Sequence, residues 1–256
     1  MSNQYNPINS LPDTGITFTD NTTGDASTTS HGYLAKLGTN PPQVMPRYKN
    51  NKWFTWSPNN TTISGAGVSD PSITSPVAAV NSNDASGTGI TFGSATNASV
   101  AKATYPTLNR VRNTSGTLYW YSKHALTATT AVRAFWGLCS GSPTTGSGTD
   151  PLPNLTGIGF YYNSANANWQ LVSNNGGASS SITILVNAAD TSVHTFEFTL
   201  TSAGSMQWFI DGVSQGTSTT QPPATTVDMG PDIELQPSAS ANKSFNFKAL
   251  EVIYAP

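Results

Sequence analysis

Charge is scarce in this chain. Asp, Glu, Lys and Arg make up 9% of its 256 residues, against roughly a quarter in ordinary soluble domains. Eleven basic residues face thirteen acidic ones, for a net charge of −2, and Arg110 and Arg112 come nearest to a basic cluster. That balance leaves no electrostatic footprint for nucleic acid or an acidic membrane. Cysteine occurs once, at Cys139, which excludes an intrachain disulfide and leaves stability to packing or assembly. Phe135, Trp136 and Leu138 beside it mark the thiol as a small buried hydrophobe. No run approaches eighteen apolar residues, so no membrane insertion is expected. Met1-Ser2-Asn3-Gln4-Tyr5 has neither a basic n-region nor an apolar h-region, so a product of the cytosol without a signal peptide is expected. Glutamate occurs only at Glu197, Glu234 and Glu251, and histidine only at His31, His124 and His194. These are too far apart for an i, i+4 zinc pair, and the acids are too dispersed for a calcium loop. Neither metal nor cofactor is expected.

What is abundant is Ser, Thr, Asn and Gly, the surface chemistry of an extracellular or particle-borne protein. From Thr88 onward, β-runs alternate with turn clusters. Val193 to Thr201 is the clearest, with Phe196, Phe198 and Leu200 on one face and Thr195, Glu197 and Thr199 on the other. Ala203-Gly204 and Asp211-Gly212 read as turns around the strand Met206 to Ile210. Gly157 to Asn163 and Trp169 to Ser173 read as a hairpin, and Ser244 to Tyr254 as the last strand. Thr14-Gly-Ile-Thr-Phe18 recurs as Thr88-Gly-Ile-Thr-Phe92, and the second copy reads as the opening strand of a sandwich. No window has a convincing 3.6-residue period. The expectation is an all-β protein, a two-sheet antiparallel jelly-roll sandwich with an extended N-terminal arm. Residues 1–60 read as an attachment and oligomerisation arm, 61–87 as a Ser/Gly/Pro-rich linker or arm, and 88–256 as the sandwich.

The arm opens with a half-buried strand at Ile16 and Phe18, turn chemistry at Asp20-Asn21 and Gly24-Asp25, and a capped helical turn ending at Gly32. Ile16, Phe18, Tyr33, Leu34 and Leu37 are its only side chains for burial. At roughly 1.5–3 kcal/mol each they do not offset the entropy of ordering more than twenty residues, so the arm must pack on something else. The run Gly15 to Leu37 resembles a connector of bacteriophage tail-fibre and other virion structural proteins. The matches are Gly15 to Phe18, Asp20 to Thr23, Ser27 to Thr29, His31 to Tyr33 and Lys36; Ser30 and Ala35 depart from the pattern. The resemblance implies a homo-oligomer, a trimer as phage fibres usually are, attached to other virion proteins through Ile16, Phe18, His31, Tyr33, Leu34 and Leu37. It also implies a place on the virion surface.

The sandwich has its own resemblance. Phe196-Glu-Phe-Thr-Leu200, a turn, Trp208-Phe-Ile-Asp-Gly-Val213 and the terminal Ala249 to Tyr254 strand look like the concanavalin-A-like lectin and glucanase superfamily, and Phe135-Trp-Gly-Leu138 resembles an inner strand of that jelly roll. Glycanases of this superfamily carry a Glu-x-Asp-x-Glu strand whose carboxylates face one side. Here Asp232-Ile-Glu234 is the nearest imitation. Pro231 and Pro237 suggest a solvated strand edge, and a third carboxylate is missing. Aromatic side chains with amide neighbours are the other candidates, since sugar rings stack on them. They are Tyr119, Tyr121, Tyr161, Asn168 and Trp169. His194 reads as lying on the polar face of its strand. The function expected is adhesion to a glycan by a virion structural protein, without catalysis. Capsid decoration, a free-standing lectin and a glycanase of the same fold are the alternatives.

Overall fold

The computed structural model describes the strands at 32–36, 43–47 and 52–56, and residues 72–85, 87–104, 111, 113–143 and 150–255. Ile16, Phe18, His31 and Leu37 lie outside the described residues. Gly32, expected to end a helical turn, instead opens strand β1 (Gly32–Lys36), which pairs antiparallel with β2 (Gln43–Arg47) so that Tyr33 faces Pro46 and Leu34 faces Met45. This hairpin belongs to one compact unit, and Lys52 to Tyr254 form another.

The larger unit is β throughout its described residues: β3 (Lys52–Trp56), β4 (Ser72–Thr74), β5 (Val77–Asp84), β6 (Gly87–Ser94), β7 (Ala101–Thr104), β8 (Thr117–Leu126), β9 (Val132–Cys139), β10 (Thr156–Asn163), β11 (Asn168–Asn175), β12 (Ser181–Ala188), β13 (His194–Thr201), β14 (Met206–Ile210), β15 (Val213–Ser218), β16 (Gly230–Pro237) and β17 (Lys243–Ala255). The first sheet runs β12-β11-β10-β9-β16-β7-β4; the second runs β15-β14-β13-β8-β17-β6-β5, with β3 also paired to β17. Every register determined is antiparallel, as the two-sheet sandwich requires. The sandwich does not begin at Thr88: β3, β4 and β5 already belong to its sheets, although their stretch lacks the periodicity that marks the later strands.

One apolar layer joins the sheets. Ala134, Trp136, Ile158, Phe160, Ile233 and Leu235 come from the first sheet, and Leu118, Trp120, Phe196, Phe198, Leu200, Trp208, Phe245 and Phe247 from the second. The period-two reading of β13 holds: Phe196, Phe198 and Leu200 are buried, and Thr195, Glu197 and Thr199 are half-exposed. Phe198 faces Trp120 and Trp208 across its two neighbours. Asp211 and Gly212 both take positive φ, 53° and 75°, the geometry of a tight hairpin turn matched to strand twist.

Two histidines face each other across β13 and β8, His194 opposite His124. His124 is 1% exposed and lies among Phe196, Trp136, Phe245 and Phe247, with ring centroids 4.7–5.3 Å away. Neither ring nitrogen has a hydrogen-bond partner. Burial, assisted by His194, pushes its pKa down to about 3.

His194 was expected on the polar face. It is instead in phase with Phe196, at the rim of the core and against Trp169. Its Nδ1 bonds Asp211 at 2.6 Å and its Nε2 bonds Asp190 at 3.0 Å. Burial lowers its pKa, but the bonds and charges of Asp211 and Asp190 outweigh that and the net shift is upward. Only the imidazolium donates from both nitrogens. The tie that links the β12–β13 connection to the β14–β15 turn is therefore complete below the ordinary histidine value and lost as pH rises through the raised one. The difference in melting temperature between the wild type and Asp190→Asn should accordingly shrink between pH 6 and pH 9. A constant difference contradicts the protonated tie.

Candidate functional site

Alternation decides what the far side of the first sheet carries. In β16, Ile233 and Leu235 enter the core, so Asp232, Glu234 and Gln236 point outward together. β16 is not the solvated edge that its prolines suggest. It lies between β9 and β7, and Asp232 and Glu234 are 5% and 3% exposed. Pro231 and Pro237 occupy its ends, where the missing N–H groups leave the ladder from Asp232 to Gln236 intact.

Register lays out the neighbours of these acids. One row runs Lys102, Glu234, Phe135, Tyr161, Gln170, Ile184 across β7, β16, β9, β10, β11 and β12. The next runs Thr104, Asp232, Gly137, Gly159, Val172, Ile182, and a third joins Gln236, Arg133 and Asn163. Gly137 and Gly159 face each other where the strands press close. A Cβ at Gly159 would meet the Trp136 carbonyl oxygen at 2.5 Å and the Phe135 ring at 3.1 Å. The missing side chain of Gly159 leaves room for the Phe135 ring beside it.

At one end the face is covered. Leu152 packs with Phe135, Cys139, Tyr161 and Val172, and Leu155 and Ile182 flank them. Asn174 fixes this cover by donating from Nδ2 to the Leu152 carbonyl at 2.6 Å. Asp150 fixes it too, accepting from Ser180 N at 2.8 Å and Ser180 Oγ at 2.5 Å. Burial pushes the Tyr161 phenol up to about 12, against a lowering pull from Arg133 and with a push from Asp150; a hydrogen bond with Asn163 also lowers it. At neutral pH this hydroxyl therefore keeps its proton.

The expected aromatic site is dispersed. Only Tyr161 lies on the face of the two acids. Trp169 has the opposite parity: it is 3% exposed and packs edge-to-face on Trp136 and Tyr162 in the core, so it presents no ring to a sugar. Asn168 donates to the Leu185 carbonyl at 2.6 Å. Tyr119 and Tyr121 lie on the outer face of the second sheet. Tyr119 is exposed, and Tyr121 is half-buried with its phenol pushed up to about 12 by burial and then by Glu251, Glu197 and Asp211. Phe135, Gln170, Arg133 and Gln236 were not anticipated. The spacing of Asp232, Glu234 and Gln236 was the available signal for the last. No group of His, Cys, Asp and Glu among the described residues forms a metal cluster.

No protein-family profile and no curated protein matches the chain. Solved structures match in fold. The carbohydrate recognition domain of Emp47p superposes with a TM-score of 0.54 at 9% identity, covering 79% of this chain and 95% of that one. A β-glucanase of Bacillus licheniformis matches with a TM-score of 0.45 at 15% identity, over 90% and 100% of the two chains. The alginate lyase PA1167 of Pseudomonas aeruginosa matches at 0.48 and 12%, over 68% and 86%. The fold is thus a concanavalin-A-like sandwich. The expectation that the chain is not an enzyme is corrected here, because its premise, a carboxylate pair on a solvated edge, fails: Asp232 and Glu234 lie on an interior strand. A glycosidic hydrolase, a lichenase and a second alginate lyase are also among the structures matched in fold.

Proposed function

We propose that the sandwich binds a polysaccharide across the outer face of its first sheet and hydrolyses it as a glycanase through Asp232 and Glu234. The observation that carries this is the placement of both acids, with Gln236, on one face of an interior strand beside Phe135, Tyr161 and Arg133. Residues two apart in a strand have Cα atoms about 6.5 Å apart on the same side. From there the carboxyls can flank a glycosidic bond at the roughly 5–5.5 Å of retaining enzymes or the roughly 6.5–9.5 Å of inverting ones. One carboxylic acid then protonates the leaving oxygen while the other attacks as nucleophile or activates water. The test is release of reducing ends from a panel of plant and bacterial polysaccharides. Wild type should cleave at least one, and Glu234→Gln should be slower by about 10²-fold or more, as loss of acid–base help requires. Equal rates would remove Glu234 from the chemistry.

A second reading concerns where the chain works. The phage-like run Gly15 to Lys36 and the low charge favour a component of a virion surface, made in a host cytoplasm. There the sandwich would serve adhesion to a glycan or capsid decoration. The arm would join copies, as a trimer, and attach them to other virion proteins. Sedimentation of the full chain at micromolar concentration should give a trimer; a folded monomer contradicts this reading.

A further inference from the structure

Gln170 stands out on the proposed polysaccharide face. It is 1% exposed, and its Nε2 has no hydrogen-bond partner. An amide donor buried without an acceptor weakens a fold, and native structures contain few of them. Across β10 the partner of Gln170 is Tyr161, fully buried, and across β12 its partner is Ile184.

Ile184 is 52% exposed. The row that begins at Glu234 is therefore closed through Phe135, Tyr161 and Gln170 and opens to solvent one strand later, about 4.8 Å away. Ile182 is half-buried, and Val186, 94% exposed, continues the same aliphatic margin along β12. A chain of sugar rings laid over this edge would meet apolar side chains suited to its C–H faces and then, at the mouth of the row, a buried amide donor with no partner among the described residues.

We infer that Gln170 is a specificity-determining residue of this face, its Nε2 donating to an acceptor oxygen of a saccharide unit that rests on Ile184. The inference depends on the reading of the first sheet's outer face as the polysaccharide site. It makes a demand that a structural role would not: removing the amide should leave the fold intact or firmer while binding weakens, because replacing a buried orphan donor by apolar atoms of like shape is neutral or stabilising.

The experiment is affinity electrophoresis of the full chain through gels containing mixed-linkage β-glucan (neutral) or alginate (acidic), with melting temperatures measured in parallel. Gln170→Met should melt at or above the wild-type temperature and lose at least tenfold in affinity for the polysaccharide that retards the wild type. Gln170→Glu, which substitutes an acceptor for the donor, should lose retardation as well. Wild-type retardation by Gln170→Met, or a melting temperature several degrees lower, overturns the assignment alone. A wild type retarded by neither polysaccharide overturns the reading of the face and the assignment with it.

Discussion

Phe198→Ala should lower the stability of the sandwich by about 3–5 kcal/mol, the loss typical of a buried phenylalanine truncated in a packed core. Phe198 is 1% exposed, stacks on Trp120 with ring centroids 5.6 Å apart and planes at 5°, and reaches Phe160 of the opposite sheet at 6.4 Å. The neighbours are held by two sheets and cannot collapse into the space, so lost contact and residual cavity both count. Glu197→Ala, one residue away on the half-exposed face beside Tyr121 and Phe209, should cost under about 1 kcal/mol. Denaturant midpoints at constant m-value measure both. Equal losses would show that the inward and outward faces of β13 are misassigned.

Acid should destabilise the protein well before its carboxylates titrate. His124 is neutral in the folded state, with a pKa near 3, and returns to the ordinary value of about 6.5 on unfolding. The folded value is depressed, so the unfolded chain binds the extra proton. Stability is fully present above about pH 6.5 and is lost as pH falls toward 3. The slope approaches about 1.4 kcal/mol per pH unit, or roughly 3 kcal/mol by pH 4. Among the described residues no group accepts a hydrogen bond from the ring, and Trp136, Phe196, Phe245 and Phe247 wall the site. His194 acts in the other direction, losing its tie to Asp211 and Asp190 as pH rises. Stability measured between pH 7 and pH 4.5 should fall less steeply, by about one proton, in His124→Leu than in wild type. Parallel curves would mean that His124 is not the titrating group.

Much of the second sheet was legible in the sequence because its strands face the core on one side and water on the other. Phe196-Glu197-Phe198 alternates, and Asp211-Gly212 is a turn that needs two left-handed residues. The first sheet was harder to read for a physical reason. All eight residues of β10 and all eight of β16 are buried, so outward positions are as hidden as inward ones and composition no longer reports parity. Trp169 and Tyr161 therefore read as neighbours on one surface, although the register pairs Tyr161 with Gln170 and sends Trp169 inward. The site itself depends on pairings between distant segments. Glu234 meets Phe135 across β16 and β9, and Lys102 across β7, and no local pattern encodes such long-range contacts. Proline at the ends of β16 suggested an edge, whereas the ladder loses N–H groups only where the strand stops.

A crystal structure of the full chain with an oligosaccharide cut from whichever polysaccharide it binds tests the role of the first sheet's outer face directly. Sugar should lie across β16, β9, β10 and β11, with hydroxyl or ring oxygens within hydrogen-bonding distance of Glu234 or Gln170. Sugar stacked instead on Tyr119 and Tyr121, on the outer face of the second sheet, would contradict that role.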